Sequence, residues 1–303
     1  MSTLGLFQNI DANRRRSVVL ILGAIVFLML VGLALGATTD VTPWAGMAVA
    51  LVVGIVLTLI AWNQGGSIVL GAVGAREIAK RDDPELVNVV EEMCIASGLP
   101  RPRIYLIDSS ATNAFASGMK PEESVVAITR GLREKLNRDE LQGVIAHELA
   151  HVGNYDTRVM VLMAVIVGSV AILCDWYLRT MRFSGRGRGK GNALFLVLAI
   201  LFAILAPLIA MLIQFAVSRR REYLADATAA AMTRNPGALA DALEKLADTR
   251  ERLETANRGT QHLFIVNPFR QRQERSSAFA THPPLAERIR RLRAIAGRYA
   301  PSA

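Results

Sequence analysis

Cysteine is nearly absent from this 303-residue chain, which carries only Cys94 and Cys174. The two form no CxxC pair and no disulfide framework, so we expect both to be reduced and buried, as in a chain whose folded part faces the cytosol. No nucleic-acid recognition motif is present either. The net charge of +9 is better explained by lysines and arginines beside membrane segments, and we expect no nucleic-acid partner.

Charge is also absent from two long apolar runs near the start of the chain, which is 52% hydrophobic with a mean hydropathy of +0.31. The first run, 17–37, is long enough to span a bilayer. The second, 43–62, follows after a very short link, which predicts a transmembrane hairpin and excludes a cleaved signal peptide. Positive charges lie before the hairpin, at 14–16, and after it, at Arg76 and Lys80, with none in the turn. This asymmetry predicts that both ends of the hairpin face the cytoplasm.

Two further apolar runs, at about 159–174 and 193–217, enclose a basic, glycine-rich loop at 182–191. If both runs span the membrane, this loop lies outside, against the usual bias of positive charge toward the cytoplasm. If the pair forms a shallow hairpin, the loop stays on the inner side. The sequence leaves both arrangements open, and the first hairpin makes the protein multi-pass in either case.

The remaining segments have the composition of a soluble domain. β-Branched residues predict strands at 103–108 and 124–129, separated by turn signals, and we expect them to form a small antiparallel sheet or a hairpin. Apolar residues at helical spacing, together with capping residues, predict helices at 83–98, 235–258 and 285–297.

Half of the four histidines fall in one pentapeptide, HELAH. Asn137 and Glu140 match a capping box, and the apolar stripe that follows predicts a helix over 138–152. Positions four apart are neighbours on one helix face, so His147 and His151 point the same way. Two neutral imidazoles at this spacing can both reach one Zn²⁺ at roughly 2 Å. The alternative is a chance pair of histidines on a surface helix.

Glu148 directly follows the first histidine of this pair. A carboxylate in this position can accept a proton from a water that the metal activates, since zinc lowers the pKa of water from about 15.7 toward roughly 7. The carboxylate can then pass the proton to the leaving amine of a cleaved peptide bond. These residue types at this spacing therefore point to metal-assisted peptide hydrolysis.

A catalytic zinc site also needs a third protein ligand and an open position. The stretch SRRREYLADATAA, directly after the fourth apolar run, offers Glu222 and Asp226 four residues apart on one helix face. We predict Glu222 as the third ligand and Asp226 as the carboxylate that orients a ligating histidine. The alternative is that both acids only balance the charges of the arginines at 219–221. His262 is a weaker candidate for the third ligand. The ligands can meet only if an even number of membrane crossings separates them, so all three lie on one side. The orientation predicted for the first hairpin makes this the cytoplasmic side.

The stretches HELAHVGNYD, SRRREYLADA and THPPLAERI, in this order around a hydrophobic hairpin, resemble the HtpX family of heat-shock membrane metalloproteases. More widely, the chain is similar to the peptidase family that includes the CAAX prenyl endopeptidase. The resemblance covers nearly the whole chain. It implies a gluzincin-type zinc endopeptidase with one Zn²⁺ held by His147, His151 and Glu222, and with Glu148 as general base. It further implies cleavage of damaged or misassembled membrane proteins at the cytoplasmic face of the bacterial inner membrane.

The resemblance also suggests roles for residues outside the ligand set. Asn113, Ala114 and Phe115 match a family segment on an edge strand that holds extended substrates, although Asn113 can instead be a turn former. His282 and Arg288 lie in a context from which the family's histidine approaches the metal, either as an oxyanion donor or in the open metal position. The alternative for His282 is a loop residue held between prolines.

These interpretations divide the chain into four parts. Residues 1–62 form the N-terminus and first hairpin, 63–158 the first part of the catalytic domain, 159–217 the second hairpin with its basic loop, and 218–303 the rest of the catalytic domain. The expected fold class is a mainly α membrane protein with an α+β, zincin-like catalytic domain.

We also consider two alternatives to a protease that serves quality control and the stress response. One is a catalytically silent scaffold or adaptor on a zinc fold, which the complete set of ligands and base disfavours. The other is a transporter or channel, which the lack of charge within the apolar runs disfavours. The expected partners are unfolded or misassembled membrane proteins and the lipid bilayer, and the sequence does not set the oligomeric state.

Overall fold

The computed structural model describes residues 3–38, 42–162, 219–248, 251, 253, 263–265 and 283–299. The second predicted hairpin lies outside the described residues apart from 159–162, and so does its basic loop at 182–191. His262, His282 and Cys174 also lie outside them.

Two long helices, α1 (Thr3–Thr38) and α2 (Pro43–Ala72), form an antiparallel hairpin. Thr42 caps α2 by accepting a hydrogen bond from the Ala45 amide, and Pro43 occupies the first helical position, where a missing N–H costs nothing. Glycine allows the two backbones to approach, since a Cβ on Gly32 would lie 2.3 Å from the carbonyl oxygen of Gly46. The predicted hairpin of helices is therefore present.

The outer faces of this hairpin are apolar and exposed. Large hydrophobic side chains on both helices, including Leu22, Leu30 and Val52, are more than half exposed. Within the part of the chain that the structure describes, α2 has the length and composition of a membrane-spanning helix. The most apolar 18-residue stretch of α2 has a mean hydropathy of 2.4 and is 11% buried inside the protein.

A four-stranded sheet follows the hairpin and has the order β1-β2-β4-β3. Its strands are β1 (Ala75–Glu77), β2 (Arg103–Ile107), β3 (Ala114–Ser117) and β4 (Val125–Thr129). β1 pairs antiparallel with β2, β2 parallel with β4, and β3 antiparallel with β4. The sheet is therefore mixed, and the prediction of an antiparallel sheet is wrong for the central pair.

The turn after β3 explains this arrangement. Gly118 has a φ of 127°, which favours glycine, and a single 3₁₀ turn at Pro121–Glu123 returns the chain to pair β4 with β3. β4 thereby lies between β3 and β2, with Phe115 and Tyr105 both opposite Ala127. β3 is left at the edge of the sheet.

Six further helices have both ends among the described residues, and residues 156–162 are helical as well. The six are α3 (Pro84–Ser97), α4 (Arg130–Lys135), α5 (Arg138–Gly153), α6 (Arg219–Thr233), α7 (Pro236–Ala247) and α8 (Leu285–Tyr299). Local capping sets several ends, because Asp83, Asn137 and Asn235 each accept a hydrogen bond from a backbone amide of the first turn. The predicted helices at 83–98, 138–152 and 285–297 are confirmed within one or two residues, whereas the helix predicted over 235–258 ends at Ala247.

α5 lies at the centre of the domain, packed against α3, α6, α7 and β3. Its residues from Gly143 to Val152 are all buried, so the helix is not a surface helix. Gly143 admits α7 at close range, since a Cβ there would lie 3.0 Å from the Leu239 Cα. The HELAH pentapeptide thus occupies the core of the fold.

Candidate metal centre and active site

A capping box and one contact with α7 fix the start of α5. The Asn137 side chain accepts from the Glu140 amide at 2.9 Å, and Glu140 accepts in turn from the Asn137 amide at 2.9 Å, which completes the predicted capping box. Lys245 of α7 donates to the same Glu140 carboxylate at 2.7 Å. The start of α5 is thereby tied to α7, and the helix enters the core in one defined orientation.

His147, His151 and Glu222 converge at the interface of α5 and α6. The two Nε2 atoms lie 3.2 Å apart, and the Glu222 carboxylate oxygens lie 3.8 Å from Nε2 of His147 and 3.7 Å from Nε2 of His151. All three side chains are buried. Two ligands bound to a tetrahedral Zn²⁺ at roughly 2.0–2.1 Å lie about 3.3–3.5 Å apart, so these residues fit a metal ion of this kind.

Each histidine has its own carboxylate on the ring nitrogen that faces away from this cluster. Nδ1 of His147 lies 3.0 Å from Oδ1 of Asp226, and Nδ1 of His151 lies 2.9 Å from Oδ2 of Asp156. An ionised carboxylate only accepts hydrogen bonds, so Nδ1 is the donor in both rings when Nε2 binds a metal. Such pairs fix the tautomer and the ring orientation of metal-ligating histidines.

Asp156 is a site residue that the sequence reasoning missed. It follows His151 by five positions, and in a continuous helix it would point about 140° away from the histidine face. α5 ends at Gly153, and Tyr155 has the left-handed φ of 58°, which turns the chain back so that Asp156 meets His151. The Gly-Asn pair at 153–154 is a signal for the end of a helix and could have indicated this break.

Arg288 of α8 is completely buried and contacts two of the site's carboxylates. Its Nε and Nη2 donate to Asp226 at 2.9 and 2.7 Å, and its Nη1 lies 3.3 Å from Oε2 of Glu222. Nη1 also donates to the carbonyl of Ile265 at 3.3 Å. The structure thus brings Arg288 into the site, while His282, predicted beside it, lies outside the described residues.

The surroundings shift the pKa of the two histidines in opposite directions. Burial and the neighbouring Arg288 charge lower the pKa of His147 to about 4, so this ring is neutral near pH 7. Burial also acts to lower the pKa of His151, but the hydrogen bond to Asp156 and the charge of Glu222 outweigh it and raise that pKa to about 9. Metal binding at His151 therefore requires release of a proton.

Glu148 lies between the metal cluster and the edge strand. Its carboxylate is buried and accepts a hydrogen bond from the backbone amide of Ala116 on β3. Burial raises the pKa of Glu148 to about 7, and the charge of Glu222 adds to this rise. A carboxyl group with a pKa near 7 exchanges protons readily at neutral pH, which suits a general base.

The predicted substrate segment lies at the start of the edge strand. Asn113 immediately precedes β3 and is buried, and its carbonyl accepts from the Thr129 amide at 3.0 Å. Ala114 and Phe115 are the first residues of β3. The outward-facing carbonyl of Ala114 accepts from the Ile265 amide at 3.0 Å, so residues 263–265 lie along this edge.

A histidine pair on one helix, an acid from a second helix and a glutamate beside a sheet edge are the arrangement of a metallopeptidase. The comparison with family models gives the same class. Residues 80–296 match Peptidase family M48, and the chain belongs to that family. The predicted peptidase activity and family resemblance are thereby confirmed.

Several relatives with similar full-length sequences share one name. A "Protease HtpX homolog" of Dictyoglomus turgidum is 40% identical over 99% of this chain and 98% of its own length. One from Listeria monocytogenes serotype 4b is 38% identical over 95% of this chain and 99% of its own length. The crystal structure of S. mikatae Ste24p aligns with 96% of this chain and 67% of its own, at 20% identity and a TM-score of 0.49, which supports no conclusion by itself.

Proposed function

We propose that this metallopeptidase is a membrane-anchored zinc endopeptidase in which His147, His151 and Glu222 hold one Zn²⁺ and Glu148 is the general base. One observation carries the proposal: three buried ligand atoms lie within 4.8 Å of one another, and each histidine is oriented by a separate carboxylate. Zinc, when bound, supplies Lewis acidity that lowers the pKa of a water and polarises a peptide carbonyl.

Glu148 would move the protons of the reaction. Its pKa near 7 allows it to take a proton from the attacking water and to give that proton to the leaving amine. The hydrogen bond from Ala116 holds the carboxylate against β3, beside the place where a scissile bond would lie. The base is therefore aligned with the strand that we propose as the substrate platform.

β3 would bind substrate as an added strand. An extended peptide can pair with an exposed sheet edge through main-chain hydrogen bonds, which accept many sequences. The Ala114 carbonyl is the group on this edge that such a peptide would use, with Asn113 and Phe115 flanking it. Because Ile265 donates to this carbonyl, a substrate would compete with residues 263–265 for the edge.

Arg288 would act by holding the ligand shell. Its guanidinium is engaged by Asp226, by Glu222 and by the Ile265 carbonyl, which supports a positioning role over direct donation to an oxyanion. The predicted role of His282, as an oxyanion donor or in the open metal position, stays a prediction.

The first hairpin would anchor the enzyme at the cytoplasmic face of the bacterial inner membrane. Exposed apolar side chains on α1 and α2, with positive charges at both ends of the hairpin, support this orientation. Asn13, four residues before the first apolar run, contacts Asp156, so the metal centre lies close to the start of that run. A site at this level suits damaged or misassembled membrane proteins as substrates.

The proposal is tested on the full chain purified in detergent, with its metal content measured and an unfolded casein-like protein as substrate. We expect about one zinc per chain, cleavage that a chelator stops, and recovery when zinc is restored. Glu222→Ala should lower the zinc content, whereas the exposed Glu134→Gln should not. Cleavage that persists after complete metal removal, or full zinc content in Glu222→Ala, would contradict the assignment.

A further inference from the structure

Asn13, on the first long helix, contacts Asp156, the carboxylate that orients the candidate metal ligand His151. Asn13 of α1 is 2% exposed, and its amide nitrogen donates to the carbonyl of Asn154 at 2.9 Å and to Oδ1 of Asp156 at 2.7 Å. The other oxygen of the same carboxylate, Oδ2, accepts from Nδ1 of His151. A chain of two hydrogen bonds therefore joins α1 to a candidate metal ligand.

The neighbours of Asn13 fix the orientation of its amide. Arg16 donates to the Asn13 side-chain oxygen at 3.2 Å, and arginine has no acceptor group. The amide oxygen must therefore face Arg16, and the two N–H groups must face Asn154 and Asp156. One N–H satisfies the carbonyl of Asn154, the residue directly after α5, and the other satisfies the Asp156 carboxylate.

Asp156 depends on such donors because it is almost completely buried, at 1% exposure. A buried carboxylate oxygen that loses its hydrogen bond is costly, and the side chain will rotate to find another donor. A further positive group beside the same oxygen, Nε of Arg221, lies 3.7 Å away, beyond hydrogen-bond distance. Rotation toward Arg221 would move Oδ2 away from His151.

We propose that Asn13 is a positioning residue for the metal centre: it holds Asp156 in the rotamer that fixes the ring of His151. The inference rests on the proposed metal site and deepens it. It makes the first helix of the hairpin a part of the metal-binding unit in addition to a membrane anchor. Loss of the Asn13 amide should therefore weaken metal binding, although Asn13 touches neither the metal ligands nor the substrate edge.

The test measures zinc affinity of the full chain in detergent by competition with a chromophoric chelator, beside the melting temperature of the metal-free protein. Substitution of groups that orient metal ligands typically lowers affinity by roughly 10–100-fold. We expect a loss of about tenfold for Asn13→Ala. Asn13→Asp keeps the side-chain volume but places an acceptor against Asp156, so it should lose at least as much. The matched control is Asn63→Ala, since Asn63 is exposed on α2 and donates to its own helix, at Leu59.

A double-mutant cycle separates positioning from mere docking of α1. If Asn13 acts through Asp156, then Asn13→Ala should weaken zinc binding no further in an Asp156→Asn background. A lower melting temperature with unchanged zinc affinity, or effects of the two changes that simply add, would overturn the proposal. Failure of the unaltered protein to bind zinc would overturn the metal site itself, whereas full affinity in Asn13→Ala and Asn13→Asp would overturn this inference alone.

Discussion

Asp226→Asn tests the buried ion pair that supports the candidate metal centre. Asp226 accepts two hydrogen bonds from Arg288 and one from His147, and all three groups are buried. Burial acts to raise the pKa of Asp226, but the Arg288 charge and the hydrogen bonds outweigh it and hold the pKa at about 2. Asparagine keeps the shape of the side chain while removing the charge, so Arg288 loses its main counter-ion.

The size of the effect follows from this pKa. A fall from 3.8 to about 2 corresponds to roughly 2–3 kcal/mol of folding stability near neutral pH. Breaking a buried pair on one side typically costs about 3–5 kcal/mol, because the remaining charge is left uncompensated. We therefore expect Asp226→Asn to cost about 3 kcal/mol. At roughly 2–4 °C for each kcal/mol, the melting temperature should fall by about 6–12 °C.

The sign of the pH dependence is also defined. The folded-state pKa of Asp226 lies below its unfolded value of 3.8, so its contribution is fully present above that pH and is lost as the pH falls toward about 2. The melting temperatures of the unaltered protein and of Asp226→Asn should converge in this acid range.

The assay is thermal unfolding of the metal-free full chain in detergent, followed by circular dichroism. Asp241→Asn is the matched control, because Asp241 pairs with Arg293 between α7 and α8 but is 47% exposed, and such pairs contribute less than about 1 kcal/mol. Equal losses in the two variants would refute the claim that the Asp226–Arg288 pair is a buried support of the site.

Two further predictions concern packing. Burial raises the pKa of the Cys94 thiol to about 11. In a Cys174→Ser background, alkylation of Cys94 at pH 8 should therefore be slow until the protein is denatured. Rapid labelling of the folded protein would contradict the buried position of Cys94. Gly143→Ala should lower the melting temperature, because the added Cβ would lie 3.0 Å from Leu239 at the α5–α7 contact. Gly297→Ala is the control, since its Cβ would meet nothing within 4 Å and alanine favours a helix by up to about 1 kcal/mol; equal effects would argue against the close approach of α5 and α7.

The elements predicted well from the sequence were those that local chemistry determines. The capping box of Asn137 and Glu140 lies within one helical turn, and the left-handed Gly98 that ends α3 follows directly on its apolar pattern. The pairing of β2 with β4 was predicted wrongly as antiparallel. Pairing depends on which strand lies between the others, and strand composition carries no information on that order.

The site residues also divide into those that a local pattern predicted and those that depend on the tertiary structure. Helical spacing predicted that His147 and His151 would share one face, and it suggested an acid on a second helix beside them. Asp156 was missed because its approach depends on the left-handed backbone of Tyr155. Asn13 was missed because 143 residues separate it from Asp156, so no local pattern links the two.

The most direct test of the central claim is Glu148→Gln, which removes the proposed base and keeps the size of the side chain. The full-length variant is assayed for zinc content and for cleavage of an unfolded casein-like substrate, beside the exposed Glu134→Gln as control. We predict about one zinc per chain in all three proteins, and a loss of cleavage of at least about 10²-fold in Glu148→Gln alone. Substantial cleavage by zinc-loaded Glu148→Gln would contradict the account.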